Sequence, residues 1–214
     1  MKILVTGFDP FDREKINPAY EAVKLLPDSI CGAEIIKLEI PTVFARCAEA
    51  VEQAVERHNP DIVLCIGQAG GRSCISVEKV AINFAEARIP DNDGNQPLDK
   101  AIVPDGPAAY FSTLPVKAMV ENVRSHGIPA NLSYSAGTFV CNDVMYRLLH
   151  LAATKYHHIK GGFIHVPYTL EQAVSKPDGT PAWDERTIAK GLEYAIEAVV
   201  KKNESSNTAM GTTH

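Results

Sequence analysis

Cys141 stands in the segment SAGTFVCNDVMYRLLHLAATKY, residues 135–156, between a turn of small residues and a long amphipathic run. A sulfur at a helix N-terminus faces N–H groups without intrahelical partners and the positive end of the helix dipole, and both favour a thiolate. The same amides suit the oxyanion formed when a thiolate attacks a carbonyl. The chemistry suggested is acyl transfer through sulfur. Packing of Cys141 beneath the helix is the competing reading, and position alone does not separate the two.

The other four cysteines carry weaker signals. Cys47 falls on the apolar stripe of FARCAEAVEQAVERH with Val51 and Ala54, and Cys65 sits inside the apolar run DIVLCIG, so both read as small hydrophobes. Cys31 precedes Gly32 in a turn with no evident polar partner. Cys74, close after Arg72 in a Gly-rich loop, is the one serious rival.

A working thiol needs a base. His58, His126, His157 and His158 fall toward helix C-termini, where the dipole favours an imidazole, and His214 ends the chain. His150 lies about two turns beyond Cys141 on the same helix and cannot easily turn back. His165 interrupts GGFIHVPY near the end of an apolar strand, between Ile164 and Val166. The expectation is that the helix after Cys141 joins adjacent parallel strands and so brings Cys141 and His165 to one rim. A carboxylate that fixes the imidazole tautomer would complete the set. In SVEKVAINF, read as one strand, the period of two puts Glu78 on the same face as Val80, Ile82 and Phe84. An acid on an apolar face needs a partner, which His165 could supply. A Glu78 near the strand start that reaches solvent is the alternative, and spacing does not decide between them.

The elements that must position these residues alternate along the chain. KILVTGF, AEIIKLEI, DIVLCIG, SVEKVAINF, NLSYSA and GGFIHVPY read as strands. NPAYEAVKLL, capped by Asn17 with Pro18 in the first turn, reads as a helix, as do FARCAEAVEQAVERH, VKAMVENVRSHG, 142–157 and 183–202. This alternation predicts an α/β fold, a three-layer αβα sandwich around a largely parallel, mixed central sheet. In such folds ligands bind beyond the carboxyl ends of strands, which directs attention to GFDPF, GQAGGR, SAGTFVCN and HVPY. Residues 85–110 are irregular and rich in Pro, Asp, Asn and Gly, a length of loop that is usually functional or packs on a partner.

The 214 residues suit one domain over 1–202, with 203–214 as a small, polar tail expected to be disordered. A net charge of −5 without a basic cluster argues against nucleic acid as a partner. No apolar run approaches the roughly 18 residues that span a bilayer. MKILVTGFDPF reads as a first strand rather than an export signal. Five cysteines, an odd number with no Cys-x-x-Cys pair, suggest reduced thiols and a cytoplasmic location.

In combination, TGFDPF, NPAYEAV, GQAGGR followed by E-x-V-A-I-N, RIPDN-x-GNQP, SAGTFVCN and HVPY resemble the pyrrolidone carboxyl peptidases, a family of cysteine peptidases, from residue 1 to about 200. The resemblance implies a phosphorylase/hydrolase-like sandwich and a triad of Glu78, Cys141 and His165. It implies removal of an N-terminal pyroglutamyl residue from peptides through a thioester, without cofactor or metal, by a homo-oligomer, a tetramer or dimer of dimers. Pyroglutamate is a neutral lactam with an apolar edge. Phe8, Phe11 and Phe139 would wall its pocket, and Gln68 and Asn17 would hold the loops that recognise it. After GFDPF this chain carries DREK, Asp12 to Lys15, in place of the family's usual Gly-rich turn, which alters the pocket mouth and leaves preference beyond the first residue open.

Two rival readings remain from the sequence. A phosphorylase or nucleosidase of related fold could cradle an anion on GQAGGR and Arg72, although neither G-x-G-x-x-G nor a Walker A sequence is present. A binding module could keep the fold without turnover.

Overall fold

The structure is a computed structural model that describes residues 1–201 and 208–210. The elements follow in the order β1 Lys2–Phe8, α1 Pro18–Lys24, β2 Ser29–Ile30, β3 Ala33–Ile40, α2 Arg46–His58, β4 Ile62–Gln68, β5 Ile75–Glu78, β6 Val80–Ile82 and β7 Ala109–Phe111. They continue with α3 Val116–Ser125, β8 Ala130–Ser133, α4 Val140–Thr154, β9 Lys160–Val166, β10 Tyr168–Thr169, α5 Leu170–Ala173, β11 Ala182–Trp183 and α6 Glu185–Val200.

Among the described residues, one seven-stranded sheet runs β2-β3-β1-β4-β9-β5-β8. Its centre is parallel, with β1 paired to β3 and β4, and β4 to β9. β5 then pairs antiparallel with β9 and parallel with β8. The sheet is therefore mixed, and helices cover both faces, as the alternation predicts.

The period of two along the strands sorts the core into two layers. Ile3, Val5, Leu64, Ile66, Val77 and Ile164 pack under α1, α3 and α6. Leu4, Val63, Cys65 and Phe163 pack under α2 and α4, with Val140, Val144, Leu148 and Leu149 of α4 fully or almost fully buried. Each such side chain contributes about 1.5–3 kcal/mol on burial, enough to fix the register of α4 on the sheet.

Two expectations need correction. SVEKVAINF is not one strand: β5 ends at Glu78, and β6 leaves the sheet to pair antiparallel with β7. The cause is long-range, since Lys79 N–H bonds the Ser133 carbonyl and the Lys79 carbonyl accepts from Ser112 N–H, which turns the chain out. Glu78 thus closes a strand instead of lying near its start with Val80, Ile82 and Phe84. Nor does the helix after Cys141 join adjacent parallel strands. β8 and β9 are separated by β5 and run in opposite senses.

Of the tail expected from residue 203, only Thr208–Met210 lies within the described residues. There Lys117 Nζ donates to the Thr208 carbonyl at 2.8 Å, and Met210 packs against the core. The last described helix ends at Val200. No described helix is long and apolar enough to cross a membrane.

Candidate active site

His165 points from β9 toward α4, on the face that also carries Phe163. On one side lies β5, whose register sets Ser76 opposite His165 and Glu78 opposite Phe163. Glu78 is therefore the diagonal neighbour on the same face, and its Oε1 lies 2.7 Å from His165 Nδ1. Both are buried, Glu78 completely. On the other side lies β4, whose Gly67 is the register partner of His165. A Cβ at Gly67 would lie 2.8 Å from the Cys141 sulfur and 2.6 Å from Phe163 Cζ. The sulfur thus fills the place of the missing side chain, over the strand next to that of His165. Carboxylate, imidazole and thiol are ordered across β5, β9 and β4 by the antiparallel strand and one glycine.

Cys141 is the second residue of α4, not the residue before the helix. Its neighbours fix it there. Asn142 accepts from Ile82 N–H at 3.0 Å and donates to the carbonyls of Ile82 and Phe84. Asp143 accepts from Ala45 N–H and from Arg147 Nε, both at 2.9 Å. Phe139 caps the helix without a side-chain hydrogen bond, so no side chain of the cap residue occupies the first-turn amides.

Electrostatics set the resting protonation. Burial would raise the Glu78 carboxyl, but the hydrogen bond and charge of His165, with smaller contributions from Ser133 and Arg72, hold it below its ordinary value. A carboxylate only accepts, so His165 Nδ1 carries the proton and Nε2 is left as the basic nitrogen. Burial lowers His165, partly offset by Glu78. Burial, with the negative Glu78 nearby, pushes the Cys141 thiol up to about 12. Desolvation and the Glu78 charge thus oppose the helix N-terminus that favours a thiolate. Desolvation outweighs the helix N-terminus, and thiol and imidazole start neutral.

Cys141 and His165 open into a cavity of about 250 Å³, lined also by Phe8, Phe11, Asn17, Thr42, Gln68, Ala69, Arg72, Ala136, Gly137, Phe139 and Val140. All five residues expected around a substrate are on this wall. Phe139 is flanked by Phe11 at 6.2 Å and by Phe44, edge-on, at 5.3 Å between ring centroids. Phe8 is almost wholly buried and doubles as core. Asn17 accepts from Ala19 N–H at 3.1 Å, as a helix cap, and donates to the Asp9 carbonyl at 2.9 Å. Gln68 Oε1 accepts from Gln172 at 2.9 Å.

A family model described as pyroglutamyl peptidase matches residues 1–202. The chain belongs to the pyroglutamyl peptidase family. A pyrrolidone-carboxylate peptidase of Enterococcus faecalis is 59% identical over 214 residues and covers 100% of both chains. One from Treponema denticola is 54% identical over 214 residues, with 99% of each chain covered. Among solved structures, pyroglutamyl peptidase I of Bacillus amyloliquefaciens superposes with a TM-score of 0.93 at 45% identity, covering 97% of this chain and 99% of the other. A mutant pyrrolidone carboxyl peptidase from Pyrococcus furiosus gives a TM-score of 0.90 at 43% identity, covering 94% and 99%.

Against this pyroglutamyl peptidase frame, the remaining sequence candidates find other places. Cys47 and Cys65 are buried, and burial pushes the Cys65 thiol up to about 12. Cys74 is half-buried and is not among the residues of the cavity wall. His150 bonds the Tyr110 hydroxyl at 3.0 Å. Arg72 is engaged by the chain itself: it donates to Glu78 at 2.6 Å and to the Ser135 carbonyl at 3.1 Å, so it does not present a free anion cradle.

Several participants escaped sequence reasoning. Gly67, Phe44 and Gln172 carry no local signal of their position. The DREK segment bends through Asp12 and Arg13, both in the left-handed region with φ of 52° and 65°. Glu14 then pairs with Lys176, which also lies over the Tyr168 ring at 5.0 Å. The loop that carries Phe11 is thereby tied to the excursion between β9 and α6.

Proposed function

We propose that this protein hydrolyses the amide bond after an N-terminal pyroglutamyl residue, with Cys141 as nucleophile, His165 as general acid and base, and Glu78 as the carboxylate that orients the imidazole. The observation that carries this reading is the position of His165: it lies 2.7 Å from Glu78 on one side, and on the other its register partner Gly67 leaves the space that the Cys141 sulfur fills. Thiol and imidazole open into one aromatic-walled cavity.

Because thiol and imidazole both rest neutral, proton transfer accompanies attack. Nε2 of His165 takes the Cys141 proton as the sulfur bonds to the pyroglutamyl carbonyl carbon. The oxyanion faces the first-turn amides of α4. Glu78 balances the imidazolium, which then protonates the departing amine as the C–N bond breaks. Water, deprotonated by Nε2, attacks the thioester; pyroglutamate leaves and the thiol is restored.

The cavity suits the ligand by size and polarity. At about 250 Å³ it is smaller than the roughly 300–1,000 Å³ typical of drug-sized ligands, and it matches a single small residue. Phe8, Phe11 and Phe139 offer walls to a flat ring, and Asn17 and Gln68 fix the loops around it. Pyroglutamate lacks an ammonium group, so an aromatic wall is better chemistry than an acidic anchor. Peptides with such an N-terminus are the partners we assign. By the same resemblance we expect a homo-oligomer, and from its cysteine usage a cytoplasmic one.

The test is to quench turnover of a chromogenic pyroglutamyl amide in acid and map the covalent adduct by mass spectrometry. An acyl group on the peptide that contains Cys141, with little turnover of the matching prolyl amide, is the expected result. An adduct on Cys74, or equal turnover of both amides, would sink the reading.

A further inference from the structure

Arg72 enters the site from the loop between β4 and β5, with its side chain 32% exposed. Its Nη1 donates at 2.6 Å to Glu78 Oε1, the same oxygen that lies 2.7 Å from His165 Nδ1. Its Nη2 donates at 3.1 Å to the carbonyl of Ser135, in the turn that leads into α4. One guanidinium therefore joins the carboxylate that orients the imidazole to the segment that delivers the thiol.

The ionisable groups that face one another are Glu78 from β5, His165 from β9, Cys141 from α4, Cys65 from β4 and Arg72 from its loop. With the thiols and imidazole neutral, Glu78 and Arg72 sum to zero charge. After the proton moves from Cys141 to His165, thiolate and imidazolium cancel and the sum is again zero. Without Arg72 both states carry a net negative charge in a buried place, which is costly. Glu78 would relieve that cost by binding a proton and would then no longer balance the imidazolium.

We propose that Arg72 is a positioning residue of the reaction, aiming Glu78 at His165 and keeping the buried site electroneutral through proton transfer. This inference rests on the roles assigned above to Cys141, His165 and Glu78. The positive charge of Arg72 favours the deprotonated forms of both Glu78 and His165. Its removal therefore lets both bind protons at higher pH, and the acid limb of kcat/KM moves upward.

The experiment compares wild type, Arg72→Gln, Arg72→Lys, Glu78→Gln and the double variant on a chromogenic pyroglutamyl amide across about pH 5 to 9. Arg72→Gln should lower kcat on the order of 100-fold with little change in KM, and raise the acid limb by about 1–3 pH units. Arg72→Lys keeps the cation and should keep the limb in place. In the Glu78→Gln background Arg72→Gln should cost little more, because Arg72 acts through Glu78. A wild-type limb in Arg72→Gln, or equal losses in both backgrounds, would overturn the proposal. Should Arg72→Gln fail to fold, a shifted limb in Arg72→Lys has the same force. Turnover by Cys141→Ala in the same series would instead refute the underlying roles, a separate outcome.

Discussion

The Cys141 sulfur occupies the space that a side chain at position 67 would need, 2.8 Å from where the Cβ of Gly67 would stand. The glycine is thus a steric requirement of the nucleophile, and Phe163 shares the same gap at 2.6 Å. Gly67→Ala is expected to push the sulfur off His165 and strain the Phe163 ring. The cost in stability should be about 1–3 kcal/mol, typical of overpacking. Activity should fall on the order of 100-fold, since small misplacements of reacting groups are that costly. Denaturant titration and steady-state kinetics on the purified variant check both. Near-wild-type kinetics would mean that the thiol does not work from this position.

Glu78→Gln keeps the size of the side chain and removes its charge. The variant should fold, because Arg72 and His165 can still find an amide oxygen. Its kcat should fall roughly 10²- to 10⁴-fold, as an unbalanced imidazolium and a misassigned tautomer predict. Circular dichroism with kinetics measures this, and an unchanged rate removes Glu78 from the mechanism.

The raised thiol gives a pH prediction of definite sign. A thiol pushed up to about 12 is protonated throughout the neutral range. Inactivation by iodoacetamide should therefore be slow at neutral pH and climb tenfold per pH unit well above it, with no plateau. A thiolate–imidazolium pair formed in the free enzyme would instead give a plateau from mildly acidic pH. The rate of activity loss isolates Cys141 from the exposed Cys31.

Glu14 and Lys176 tie the loop that carries Phe11, a residue of the cavity wall, to the segment between β9 and α6. Removing either partner should loosen the aromatic wall and raise KM about 2- to 5-fold with kcat nearly unchanged, the scale of a partly exposed ion pair. The reversed pair, Glu14→Lys with Lys176→Glu, should recover most of the loss. Equal KM values in all four proteins would show that the clamp does not shape binding.

Local patterns made some of the site legible and left the rest hidden. Cys141 stood out because Cys47 and Cys65 lie within apolar periodicities and it does not. His165 stood out as a polar residue at a strand end. The route between them is not legible, since no local feature announces that β5 intervenes between β8 and β9, antiparallel to β9. Alternation continues past Lys79 and so groups Glu78 with Val80, Ile82 and Phe84, while the strand itself stops through long-range hydrogen bonds to Ser133 and Ser112. Gly67 works by lacking a side chain, and Arg72, Gln172 and the Glu14–Lys176 pair work through partners far away in sequence. The charge state of Cys141 is hidden for a related reason: a helix N-terminus is visible in a sequence, whereas the desolvation and the Glu78 charge that oppose it are not.

The most direct measurement is release of chromophore from a pyroglutamyl amide by wild type and Cys141→Ala, purified side by side and shown by thermal unfolding to be equally folded. Wild type should turn over and the variant should fall to the background rate while still binding the amide. Turnover by Cys141→Ala comparable to wild type would contradict a mechanism through this sulfur.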